Sequence, residues 1–181
     1  MDNNLQKSSF SCLLLLVLFL SLLPGQVFAD NADDVFLRAK QSIEKDQLDF
    51  AFLNLHFLVN LYPESKHYES ALFSLGEYYY GIGAYHSALK SFNEILKIDP
   101  ESKARIFIKM YLMEIAKNRG DSDRVNELKK EIVAHEQLSL LFRDFKEYSY
   151  VSALMREHKA VYYIDKIEFF VDEKLFSEIY Y

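Results

Sequence analysis

The chain of 181 residues has room for one ordinary domain, and its 50% hydrophobic and 15% aromatic content can build a core, which excludes disorder over most of its length. A formal net charge of −6 gives no electrostatic footprint for nucleic acid or for an anionic membrane surface. Five glycines and three prolines are too few for a many-turned β fold, so the expected fold class is all-α.

Residues 1–29 have the pattern of a secretory signal. Lys7 lies in a short start, an apolar run extends from Cys12 to Leu23, and Pro24-Gly25 breaks it before Val27-Phe28-Ala29. Cleavage after Ala29 is expected, with the competing reading that the segment stays as an uncleaved anchor. Cys12 opens the run instead of following it, which argues against lipid attachment, and it is the chain's one cysteine. A mature chain beginning at Asp30 therefore has no disulfide, thiol nucleophile or sulfur-ligated zinc. No Asn-x-Ser/Thr sequon occurs, in keeping with a bacterial periplasmic location.

Asp30 to Asp34 is an acidic entry suited to the positive end of a helix expected from about Asp33. Val35, Phe36, Ala39 and Ile43, then Phe50, Ala51, Leu55 and Leu58, recur at helical spacing on either side of a turn at Lys45-Asp46-Gln47. The clearest stretch follows, Glu69 to Pro100. Leu72, Leu75 and Tyr79 mark one helical face and Ala88, Phe92 and Ile95 another. Gly81 and Gly83 bracket the reversal between them. Gly76 and Ala88 allow the two helices to cross closely, with Tyr79 and Phe92 beside them, and Asp99-Pro100 ends the second helix.

Leu72, Leu75, Gly76, Tyr79, Ala88, Phe92 and Pro100 stand at the signature positions of the tetratricopeptide repeat, which this stretch resembles. Leu72 replaces the commonest tryptophan and Ile95 the commonest alanine, and both stay apolar. Ala51, Leu55 and Pro63 repeat the second half of the signature, and Pro63 and Pro100 lie slightly further apart than one basic repeat. From Val35 to Asp121 the chain is similar to periplasmic tetratricopeptide proteins of Gram-negative bacteria, such as the Tol-associated cell-division coordinator and the outer-membrane barrel-assembly lipoprotein. It differs from the first in lacking an N-terminal coiled coil, and from the second in lacking a lipobox cysteine.

A drifted third unit starts near Lys103. Ile106, Ile108, Met110, Leu112, Met113 and Ile115 build its first helix, Gly120-Asp121 the turn, and Val125, Leu128 and Ile132 its second. Residues 136–181 lack the signature but keep helical spacing. Leu138, Leu141, Phe145, Tyr148, Val151 and Met155 form one stripe, and Ile164, Ile167, Val171, Leu175 and Ile179 another. Two capping helices with a break around His158 to Val161 are expected, and an edge strand within Val161 to Val171 is the alternative. The resulting division is 1–29 signal, 30–135 helical repeats and 136–181 cap.

The sequence presents no constellation that names a reaction. His56, His67, His86, His135 and His158 form no His-Glu-x-x-His pair, no serine lies in Gly-x-Ser-x-Gly, and Gly81-Ile82-Gly83 lacks the Gly-Lys-Ser/Thr of a phosphate loop. No catalytic residue, metal or cofactor is therefore expected. The family resemblance implies instead a concave face lined by the first helix of each unit, binding a protein segment. The family's groove positions fall on Ser70, Phe73, Glu77, Tyr80 and Gly81, and in the third unit on Phe107, Met110, Glu114, Lys117 and Asn118. Phe73 and Tyr80 are the expected anchors, with packing against the neighbouring unit as their alternative role.

The expectation is a non-catalytic periplasmic adaptor acting in envelope assembly or cell division. Its partner is a protein, nucleic acid has no part, membrane contact comes only through an uncleaved leader, and self-association could complete the fold. One rival is a small helical hydrolase or ligand-binding protein, which predicts buried, perturbed titratable groups beside a cavity. The other keeps the leader and tethers the repeats to a membrane.

Overall fold

The computed structural model describes residues 31–134 and 146–181, which form six helices followed by a four-stranded sheet. The helices are α1 (Ala32–Glu44), α2 (Leu48–Leu61), α3 (Tyr68–Gly81), α4 (Tyr85–Ile98), α5 (Arg105–Asn118) and α6 (Ser122–Ala134). They pack as three successive hairpins, a helical-hairpin architecture compatible with tetratricopeptide-like repeats.

Local chemistry sets the helix boundaries. Asn31 caps α1 by accepting the Asp34 amide through its side chain at 2.9 Å, and Asp33 and Asp34 lie in the first turn. The α1–α2 turn holds Asp46 in the left-handed region. Gly83 ends the α3–α4 turn at φ +75° and Gly120 does the same for α5–α6 at +71°. Gly76 is required for a different reason. A Cβ there would lie 2.5 Å from the Phe92 ring, so the bare backbone of α3 is what lets α4 lay its aromatic against it. Ser102, ahead of α5, accepts the Ala104 amide at 3.0 Å and donates to Glu69 Oε1 at 2.6 Å, tying the third hairpin to the second.

The expected all-α class is corrected by the C-terminal part. In place of two capping helices, the chain forms β1 (Lys146–Val151), β2 (Glu157–Tyr162), β3 (Lys166–Val171) and β4 (Lys174–Tyr180) as an antiparallel meander in the order β1-β2-β3-β4. The break expected around His158 to Val161 falls inside β2. The stripe Ile164, Ile167, Val171, Leu175 and Ile179 satisfies helical spacing, yet Ile164 is 72% and Leu175 56% exposed. The faces actually alternate. His158, Ala160 and Tyr162 on β2, and Ile167, Phe169 and Val171 on β3, are all buried. Asp172-Glu173 supplies the β3–β4 turn with both residues at positive φ, the backbone of a type I′ hairpin formed without the usual glycine. Leu138, Leu141 and His135 lie outside the described residues, as does Phe145.

The main apolar cluster joins α3, α4, α5 and α6 to the inner face of the sheet, and a smaller one holds α1 and α2 against α3 and Ala153. No helix among the described residues is long and apolar enough to cross a membrane.

Candidate functional site

The face built by α3 and α5 is covered by the chain's own sheet. Phe73 is fully buried, its ring centroid 4.8 Å from Tyr150 on β1 and 5.2 Å from His158 on β2. Phe107 meets the same two rings from α5, at 6.2 and 5.7 Å. Tyr80 is half-buried and packs on Phe176 of β4 at 5.7 Å and on Tyr111 at 5.1 Å. Ser70 hydrogen-bonds the Tyr150 hydroxyl, and Glu114 accepts from Ser177 Oγ at 2.6 Å while also pairing with Lys117. Met110 is buried in the same cluster. Gly81 stands apart, exposed at the end of α3, and Lys117 and Asn118 are likewise at the surface. The structure thus brings Ser70, Phe73, Glu77, Tyr80, Phe107, Met110 and Glu114 together, as lining for an intramolecular sheet.

At the centre of this contact lies a polar cluster. His158 Nε2 is 3.0 Å from Glu77 Oε1 and 3.1 Å from the Tyr111 hydroxyl, which itself donates to Glu77 Oε1 at 3.4 Å. The Glu77 and His158 side chains have no exposed surface. Arg156 approaches Glu77 Oε1 to 3.9 Å while bonding Asp172 at 3.0 Å. Burial, reinforced by the Glu77 charge, raises the Tyr111 hydroxyl well above its ordinary range. Burial likewise pushes Tyr150 up to about 12, against an opposing hydrogen bond from Ser70. Glu77 Oε2, His158 Nδ1 and Ser74 Oγ are buried with no hydrogen-bond partner among the described residues. Such a cluster is costly to bury, and a slip of the sheet would separate Glu77 from His158.

Tyr111, Tyr150, His158 and Phe176 were not among the expected groove positions, although Phe176 belongs to a C-terminal aromatic group in excess of what one stripe needs. Tyr111 sits between two groove positions on the same helix. The other three belong to strands, and the β-branched and aromatic content of residues 161–171 was the available signal.

Outside the sheet contact, a cleft of about 370 Å³ opens between α2, α3 and α4. Its lining includes His56, Asn60, Tyr68, Tyr79, Lys90 and Glu94. Among the described residues no group of three or more His, Cys, Asp or Glu is placed to hold a metal ion. No protein-family model matches the chain, and comparison with curated proteins returns no match.

Proposed function

We propose that the protein is a tetratricopeptide-like, non-catalytic adaptor of the bacterial periplasm, whose protein partner docks outside the concave face. The observation that carries this reading is the seating of Tyr150, His158 and Phe176 on Phe73, Tyr80 and Phe107, which commits the expected anchors to the chain itself. The cleft between α2 and α4 is then the concavity left for an extended segment. Tyr68, Tyr79 and Leu72 give it apolar walls, and Lys90 and Glu94 give it polar groups to orient a peptide. A role in envelope assembly or cell division follows from the family resemblance and the leader-like segment. The hydrolase reading gains nothing from the Glu77–His158–Tyr111 cluster, because a catalytic group must reach its substrate and these side chains are shut away from solvent.

Export is tested by N-terminal sequencing of protein recovered from the periplasm, with Asp30 as the expected first residue. Binding is tested with a photo-crosslinking residue at Lys90, and in a second chain at Phe73, in envelope extract. The expected result is one discrete protein adduct from Lys90, abolished by Tyr68→Ala, and none from Phe73. Adducts from Phe73, or from neither position, overturn the assignment.

A further inference from the structure

One face of α2 is apolar, continuous and uncovered. The inner side of this helix, Ala51, Leu55 and Leu58, is buried, and Phe52 stacks on Tyr78 at 4.4 Å. On a second side Phe50, Leu53, Phe57 and Leu61 are 59%, 59%, 43% and 56% exposed. Their intervals of three and four residues place them within a stripe about 80° wide on a helix turning 100° per residue. Single exposed leucines are ordinary, whereas four large side chains in register make a seam. The outer face of a terminal repeat is usually polar for solubility, so this one departs from the rule at the first hairpin.

We propose that this seam is a self-association surface, on which α2 of one chain packs antiparallel against α2 of a second copy about a two-fold axis. With side chains of roughly 200 Å² each, the four exposed portions amount to about 400 Å² of apolar surface, the scale at which patches on monomers become functional. A standard interface buries about 800 Å² per partner, a little over half of it apolar, so the seam supplies the apolar core that a dimer needs. The pattern is also self-complementary. In the antiparallel arrangement Phe50 faces Leu61 of the copy and Leu53 faces its Phe57, and each pairing occurs twice.

Charge selects a second copy over other occupants. Asp49 is the one Asp, Glu, Lys or Arg in α2, and it lies at the N-terminal end, which the two-fold separates from Asp49 of the copy. Asn54, His56 and Asn60 flank the seam, so two chains of net charge −6 meet there without opposed carboxylates. A helix lying on an anionic membrane uses Lys and Arg on its flanks, and α2 has neither. This inference does not depend on the adaptor reading, whose test detects a foreign partner at the cleft.

The test is the mass of the chain beginning at Asp30, by sedimentation velocity from about 1 to about 100 μM, where a seam of this size is expected to assemble. The expected result is a shift from one to two copies across that range. In Leu53→Glu/Phe57→Glu, with unchanged helical content and melting, self-association weakens at least about 100-fold. Since Cys12 is the chain's one cysteine, the mature chain also allows a test that reads the proposed pairing directly. A Leu53→Cys chain mixed with a Phe57→Cys chain should form a disulfide-linked pair on mild oxidation, while a Lys159→Cys chain on the outer face of β2 should not. A wild type that stays monomeric throughout overturns the proposal. So does a dimer indifferent to Leu53→Glu/Phe57→Glu, or a monomer that binds phosphatidylethanolamine–phosphatidylglycerol vesicles through the same side chains.

Discussion

Glu77 on α3 and His158 on β2 are held 3.0 Å apart with both side chains shut off from water, joining the second hairpin to the sheet through an ion-pair geometry at the centre of the core. Removing one partner strands the other in a medium that cannot solvate it. His158→Ala is therefore expected to destabilise the fold by about 3–5 kcal/mol, read as the midpoint shift in urea unfolding. The double replacement Glu77→Leu/His158→Phe removes both polar groups and should cost much less than either single change. A double-variant loss equal to the sum of the two single losses would show that the two groups do not act as a pair.

The seating of Phe92 against Gly76 predicts an intolerant position. Gly76→Ala places a methyl 2.5 Å from the Phe92 ring and should cost about 1–3 kcal/mol by overpacking. Adding Phe92→Leu should recover part of that loss in thermal melting, because the smaller side chain vacates the collision.

The turn glycines separate backbone strain from crowding. A Cβ at Gly83 meets nothing within 4 Å, so the cost of Gly83→Ala comes from its φ of +75° alone, about 1–2 kcal/mol. Gly81 also has open space around it but lies in α3 without a positive φ. Gly81→Ala should be neutral or stabilising by up to about 1 kcal/mol. Opposite signs for two glycines two residues apart are the expected result of parallel denaturation curves.

Stability should fall at both ends of the pH scale for identifiable reasons. Burial alone would raise the Asp172 carboxyl, but Arg156 and the Glu157 amide outweigh it and hold the group below its ordinary value of 3.8. A depressed folded value means that the unfolded chain binds the proton first. The contribution is therefore present above pH 3.8 and is lost as pH falls through the folded value. Asp172→Asn should flatten this acid limb. Tyr150 behaves inversely, since burial raises it to about 12, so its contribution is complete below the ordinary value of 10 and lost as pH rises through about 12. Tyr150→Phe should blunt alkaline unfolding, measured by circular dichroism across the pH series.

The sheet also predicts the fate of a truncated chain. Ending the protein at Ala134 uncovers Phe73, Phe107 and Tyr111, each at most 1% exposed when the sheet is in place. Strong binding of a hydrophobic dye and concentration-dependent aggregation are expected, and a well-behaved, dye-silent truncation would contradict the integrated core.

The helical hairpins were legible because their determinants are local. The 3.6-residue spacing of Leu72, Leu75 and Tyr79, the turn at Gly83 and the small residue at Gly76 are fixed within a few residues of chain, and the structure has α3 and α4 where those signals place them. Of the positions named from the repeat resemblance, Phe73, Tyr80 and Phe107 fall on the wall of α3 and α5 that the sheet covers, while Gly81, Lys117 and Asn118 do not. What covers that wall could not be read so directly. Ile167, Val171 and Ile179 satisfy a helical stripe and a strand's alternation alike, and Asp172-Glu173 carries no glycine to announce a hairpin. The choice between the two periods falls to contacts distant in sequence. Phe73, Phe107 and Tyr111 offer an aromatic wall, and a sheet that presents Tyr150, His158 and Phe169 from one face buries it, with Glu77 finding its partner 81 positions along the numbering at residue 158.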